Sequence, residues 1–247
     1  MQPIIGFAQR RRRTFIFATK NTTKYYDGIK NKKFEDIIHR DGFFIKEFEI
    51  QDGTKGISQK FEYKDIFDVS DNFKMTFENA GIMRDGEIYT EKIEPKYKEP
   101  KKLGDILEED ADKKYYIVSN LDKWEYLKGP KKIERTTKDG FTYTFSEGGM
   151  LFPDALDRPA RTMLTSESSV NRSSHIIEDP KQKALRILTP IETERINGFD
   201  DNWTNTGMPE KFRYFCMGNA LVVGLIQKMG KRFDEIFMEE DWKQYLL

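Results

Sequence analysis

The chain has 247 residues, 42 Lys and Arg against 42 Asp and Glu, a formal net charge of zero and a single cysteine. That length suits one or two domains, and 13% aromatics oppose disorder. One cysteine excludes an internal disulfide or a thiolate zinc site and points to a reducing, cytoplasmic setting. No stretch approaches the ~18–20 apolar residues of a membrane span. Zero net charge also excludes a uniformly basic nucleic-acid binder, but not a basic patch.

Charge is unevenly placed. Up to Lys24 the chain carries Arg10, Arg11, Arg12, Arg13, Lys20 and Lys24 and no acid, whereas EEDADKK near Glu108 and the FDEIFMEEDW tail from Phe233 are acidic. Such segregation suits one face meeting an anion. TFIFAT, Thr14–Thr19, is β-branched and aromatic and predicts a buried strand directly after the arginines.

From Thr22 to Phe145 short aromatic runs (GFFIKEFEI, KYYIVS, FTYTF) alternate with Gly, Asp and Lys turns. KDGFTYTF predicts the second arm of a hairpin turning at Asp139-Gly140, with Phe141, Tyr143 and Phe145 alternating. KKLGDILEEDADKKY holds a short helix candidate. SNLDKWEYLKG holds another, capped by Ser119 or Asn120 and stopped by Gly129-Pro130. From Glu147 the chain turns to Ser, Thr, Arg, Gly and Pro, the make-up of structured loop around short strands. TPIETERINGF predicts a helix with Thr189 as N-cap, Pro190 at its first position, Glu192 completing a capping box and Gly198 ending it. Leu221, Val222, Leu225, Ile226 and Met229 predict a last helix packed on a core, opened by a Met-Gly-Asn turn.

His39 and His175 form no recognisable triad and read as ordinary polar histidines. Cys216, between Phe215 and Met217, reads as a buried, inert thiol. No phosphate loop, GxGxxG or HExxH is present. The groups suited to phosphates and bases are more telling. In extended backbone Gln9, Arg11 and Arg13 project to one side and Arg10 and Arg12 to the other. One set could reach a reacting group and the other a phosphate or carboxylate. Arg158, Arg161 and Arg172, mixed with Thr162, Thr165, Ser166, Ser168 and Ser173, suit phosphate and base-edge contacts, or else a loop that braces its own backbone.

In this order the segments resemble the C-terminal half of a bacterial DNA (cytosine-5) methyltransferase. Gln9, Arg11 and Arg13 ahead of TFIFA are similar to the family's eighth motif, Gln-x-Arg-x-Arg. RPARTM, Arg158 to Met163, with LRILTPIETERINGF behind it, resembles the ninth. GNALVVGLI, Gly218 to Ile226, resembles the tenth, with Ala220 where Ser or Thr is frequent. The Phe-x-Gly-x-Gly cofactor loop, Pro-Cys nucleophile and Glu-Asn-Val acid of the family's other half do not occur, and Met1 stands only eight residues before Gln9.

The resemblance therefore implies the second subunit of a split enzyme, partnered by the N-terminal catalytic half and by double-stranded DNA. It implies an α/β fold: a partial Rossmann-like methyltransferase sheet completed by the partner, plus a small, mostly β target-recognition domain. Residues 1–21 would give a sheet strand, 22–205 the recognition domain with the ninth motif at about 147–199, and 206–247 the return to the catalytic domain.

By the same analogy a cytosine is flipped out of the duplex, attacked at carbon 6 by the partner's thiolate and methylated at carbon 5 from S-adenosylmethionine. Gln9, Arg11 and Arg13 would serve catalysis, with Arg13 on the flipped base. Gly218, Asn219 and Ala220 would line the cofactor pocket and offer N–H groups to its carboxylate. Arg158, Arg161, Thr162 and Arg172 would meet DNA. The alternative is a catalytically inactive, sequence-specific DNA-binding module.

Overall fold

The computed structural model describes residues 6–117 and 119–240. Residues 1–5 of the basic segment, Val118 of the KYYIVS run and residues 241–247 of the acidic tail lie outside the described residues. The chain divides into two compact units. One joins Met1–Arg13 to Glu99–Gly224, and the other joins Thr14–Lys98 to Leu225–Leu247. The insert is thus cut at Lys98, and the recognition region expected as one block over 22–205 falls in both units.

The second unit contains α1 (Lys24–Ile29), α2 (Phe34–Asp36) and α3 (Ile66–Asn72) with strands β1 (Ile50–Gly53), β2 (Ile57–Lys60), β3 (Ala80–Arg84), β4 (Glu87–Glu91) and β5 (Ile93–Pro95). β4 pairs antiparallel with β2 on one side and β3 on the other, and β1 pairs with β5. β3 turns into β4 through Asp85-Gly86, both at positive φ (52° and 76°), the two-residue turn whose twist matches paired strands. Phe17 stacks on Phe43 at 4.1 Å and meets Tyr25 and Phe233 edge-on.

The first unit contains α4 (Leu121–Lys128), β6 (Lys131–Thr136), β7 (Thr142–Glu147), β8 (Ile176–Glu178), β9 (Leu185–Ile187), α5 (Pro190–Asn197) and α6 (Glu210–Asn219). The last helix, α7 (Val223–Glu239), starts at its edge and continues into the second unit. β6 pairs with β7 and β8 with β9, both antiparallel. Its core gathers Ala8, Leu103, Ile106, Ala160, Met163, Ile177, Leu188, Ile196 and Met217. The fold is thus a mixed one of short helices and small antiparallel sheets. Among the described residues no helix is long and apolar enough to cross a membrane.

α5 forms as its sequence predicts. Thr189 Oγ1 accepts from Glu192 N–H at 3.2 Å, the Glu192 carboxylate takes Thr189 N–H at 2.8 Å, and Gly198 closes the helix at φ 80°. The same Glu192 holds buried Arg186 at 2.7 and 2.8 Å, and Asp179 takes the Arg186 Nε–H at 2.8 Å. Burial opposes the Arg186 charge, but the two carboxylates outweigh it and raise its pKa. This ion triad was invisible in the sequence.

Several expectations change. TFIFAT is not a strand: Thr14–Thr19 pairs with nothing among the described residues and Ile16 is 89% exposed, because a strand needs a neighbour's backbone to bond. The only parallel pairing among the described residues is the single bridge from Gln9 to Ala160, so a Rossmann-like sheet is not formed by them. The last helix opens at Val223 rather than at Gly218, and no residue of it is buried. KKLGDILEEDADKKY yields two single 3-10 turns, Leu103–Ile106 and Lys113–Tyr115, since the intervening acids repel in a helix. α4 forms, but Asn120 caps it in a left-handed backbone without a side-chain bond.

Thr189→Ala removes one half of the capping box and should cost about 1–2 kcal/mol in urea unfolding.

Candidate functional site

Residues 8–10 run beside Ala160: Ala160 N–H donates to Ala8 O at 2.8 Å and Arg10 N–H to Ala160 O at 2.9 Å. This ladder fixes the side chains that follow. Gln9 turns inward, 4% exposed, and its Nε2 donates to Asn197 Oδ1 at 3.5 Å. Asn197 Nδ2 in turn donates to Met217 O at 3.1 Å. Arg11 points the same way, and its two terminal nitrogens donate to Met163 O and Gly218 O, each at 3.0 Å. Burial, then the nearby Arg13, lowers the Arg11 pKa. Gln9 Oε1 and Arg11 Nε are buried with no hydrogen-bond partner.

Gly218 explains why α6 comes so close. A Cβ there would lie 2.4 Å from Thr165 N and 2.5 Å from Leu164 C, so only glycine lets the helix press on that backbone. The glycine stands for close approach, not for backbone freedom. The segments carrying Gln9 and Arg11, Arg158–Met163, and Gly218 thus meet at one junction.

The expected site residues separate into two groups. Arg161 is spent internally: its guanidinium grips Asp154 at 2.6 and 3.1 Å and donates to Ser173 O and Ser174 O at 3.2 Å. Burial would raise the Asp154 carboxyl, but the Arg161 hydrogen bonds and the neighbouring His175 hold it below the usual range. Arg172 is spent as well, donating to Leu127 O at 2.7 Å, Gly129 O at 3.0 Å and Gly148 O. Both guanidiniums are part-exposed, with N–H groups engaged by carbonyls and, for Arg161, by a carboxylate. Thr162 donates its hydroxyl to Arg10 O at 2.7 Å. The Ser166–Ser174 loop also braces itself, with Asn171 Nδ2 donating to Ser166 O, Ser169 Oγ and Ser174 Oγ.

Outward-facing groups remain. Arg10 and Arg158 border one shallow pocket with Met150, Leu151 and Pro159, and Arg158 pairs only with neighbouring Asp157, at 3.1 Å. Arg13 leaves the inward alternation: it is exposed and donates to Arg12 O at 2.7 Å. Asn219 is exposed at the end of α6, with Nδ2 on Phe215 O at 3.2 Å. Ala220 N–H is closed on Cys216 O at 2.9 Å, so it is not a free donor for a ligand carboxylate. Cys216 is half-buried and packs against the core.

Two buried groups carry no signal in the sequence. His175 takes no part in a triad: it is fully buried, with its N–H and Nδ1 on Glu167 at 2.6 and 3.0 Å. Lys128 is 1% exposed and donates to Ser174 O. Burial, then repulsion from Arg161, pushes its pKa down to about 8.

Over residues 3–235 the chain matches the model of the C-5 cytosine-specific DNA methylase family, and it belongs to that family. It is 50% identical over 234 residues to the type II methyltransferase M.Sau3AI of Staphylococcus aureus, covering 94% of this chain and 56% of that protein. It is 26% identical over 146 residues to M.DsaV of Dactylococcopsis salina, covering 58% of this chain and 38% of that protein. The chain therefore spans about half the length, or less, of these relatives. A solved methyltransferase of Entamoeba histolytica, EhMeth, aligns at 18% identity over 78% of this chain and 56% of its own, with a TM-score of 0.38.

Gly218→Ala drives a methyl into the Leu164–Thr165 backbone and should cost about 3 kcal/mol, the upper range of core overpacking, in denaturant unfolding. Lys128 binds its proton less tightly folded than unfolded, so its burial penalty is full below pH 8 and lifts as pH rises from about 8 towards the ordinary lysine value of 10.5. Lys128→Met should raise the melting temperature at pH 7 and flatten the pH dependence across that window. Ser174 O keeps its Arg161 donor in the variant.

Proposed function

We propose that this chain is the DNA-recognising, cofactor-pocket-completing half of a DNA cytosine-5 methyltransferase, acting at a specific duplex site within a restriction–modification system. One observation carries the reading: in a member of this family, Arg11 and Gln9 draw three distant segments into a single junction. Cytosine-5 chemistry needs an activated thiolate, and Cys216 is half-buried against the core with Phe215, not Pro, before it. The nucleophile is therefore contributed by an N-terminal half carrying Pro-Cys.

S-adenosylmethionine supplies the methyl group when bound. Asn219 fits its pocket, since the side chain is exposed with Oδ1 uncommitted. Gly218 and Ala220 fit by small size alone, as the Ala220 N–H is already bonded. Arg13 has an exposed guanidinium with one backbone contact, and it holds the flipped cytosine's carbonyl oxygen as charge develops there. Arg158 and Arg10 neutralise DNA phosphates, while Arg161, Thr162 and Arg172 hold the surface that presents them.

Mixing the chain with a family catalytic half, duplex DNA and methyl-labelled S-adenosylmethionine should put label into DNA that neither half labels alone. Arg13→Ala should lower kcat about a hundredfold, the worth of a lost donor to developing charge. Arg158→Ala should reduce the salt slope of DNA binding by about one. Asn219→Ala should slow methylation and leave DNA binding unchanged. A well-folded mixture that binds a specific duplex without transferring methyl would instead support the inactive binding module.

A further inference from the structure

The β6–β7 hairpin carries more exposed side-chain chemistry than packing requires. Six cross-strand pairs run from Lys131–Glu147 to Thr136–Thr142, yet none of its strand residues is buried on either face. A lone two-stranded ribbon is marginal in water, and antiparallel strands ordinarily lay one face on a core. Here local contacts hold it. The Arg135 guanidinium lies 3.8 Å over the Phe145 ring, the Thr136 and Thr142 hydroxyls meet at 3.3 Å, and the Phe141 and Tyr143 rings stack within 11°. The turn is fixed by Gly140 at φ 82° and by Phe141 N–H on Thr137 Oγ1 at 3.1 Å.

The root of the ribbon is clamped. Arg172, expected on DNA, instead donates to the carbonyls of Leu127, Gly129 and Gly148 on either side of the hairpin. Lys131 Nζ also reaches Leu127 O at 3.0 Å, and Met150 N–H bonds Lys128 O at 2.8 Å. A fixed base and an ordered but uncovered blade are what a rigid reading element needs.

We propose that this hairpin enters the DNA major groove and that Lys138, Phe141 and Tyr143 at its tip determine which duplex site the enzyme selects. The inference rests on the function proposed above. A two-stranded ribbon matches the ~12 Å width of that groove. Glu147 is drawn back by Lys131 and Arg172, each at 3.6 Å, so the outward charges are Lys132, Arg135 and Lys138 against Glu134 and Asp139. The excess is positive and complements phosphate. The threonines of both strands supply hydroxyls for base edges and methyls for thymine, and Phe141, 67% exposed, offers an apolar tip.

The test is selection from a pool of duplexes with randomised cores, using the chain mixed with its catalytic half. Lys138→Ala, Phe141→Ala and Tyr143→Ala are run beside the wild type, and melting temperature reports the fold. The expected result is that the wild type enriches one site. Each tip variant should lower that enrichment by about tenfold, the worth of roughly one base contact, with unchanged melting and retained salt-dependent binding to unselected duplex. If the wild type enriches the site and the variants enrich it equally, the hairpin inference fails alone. If the variants lose association with the catalytic half instead, the ribbon is a protein-docking face and the inference is overturned. If the wild type enriches no site, the functional reading itself fails.

Discussion

The Arg11 guanidinium is where three segments far apart in the chain become one surface. It donates to Met163 O and to Gly218 O, 152 and 207 residues away. Hydrogen bonds from a charged donor are worth about 1.5–3 kcal/mol each, and no neutral side chain of similar reach offers two diverging donors. The closeness of the two carbonyls depends on Gly218, whose missing Cβ lets α6 touch the Leu164–Thr165 backbone. Gln9 reaches α6 by a second route, through Asn197 of α5, whose amide donates to Met217 O. Remove the guanidinium and the carbonyls have no common partner.

That constraint decides which charges are left for function. Much of the Arg-rich composition is consumed within the first unit: Arg11 on carbonyls, Arg161 on Asp154, Arg172 on the root of the hairpin, Arg186 on Asp179 and Glu192. Arg10, Arg13 and Arg158 remain exposed, together with the β6–β7 blade. A chain that is neutral on average thereby keeps exposed basic groups, which is what the proposed DNA ligand requires.

The sequence made the locally determined parts legible. The α5 capping box and the hairpin depend on a few adjacent residues and both form, but the hairpin turns through a longer loop, Thr137 to Phe141, in which Gly140 and not Asp139 takes positive φ. Asp85-Gly86 between β3 and β4 is the true two-residue turn, with both residues at positive φ. TFIFAT failed because strand propensity says nothing about whether a neighbouring strand exists. The last helix was opened too early because Gly218–Asn219 finish α6 and only Val223 restarts the helical path. Arg161 and Arg172 illustrate the harder limit: composition suggests phosphate binding, but the carbonyls and the carboxylate that also engage these guanidiniums come from other segments of the chain. Asn197, Lys128 and Arg186 had no signal at all, since a polar residue in a helix or strand shows its burial only once the packing is known.

Arg11 makes one cooperative junction of segments that would otherwise open separately. Amide hydrogen exchange in Arg11→Met tests it most directly, read at Ala160, Glu167 and Ala220, whose N–H groups bond Ala8, Leu164 and Cys216. Loss of two charge-assisted bonds predicts exchange about tenfold faster or more at all three together. Unchanged protection, or loss confined to one segment, would show that Arg11 does not couple them.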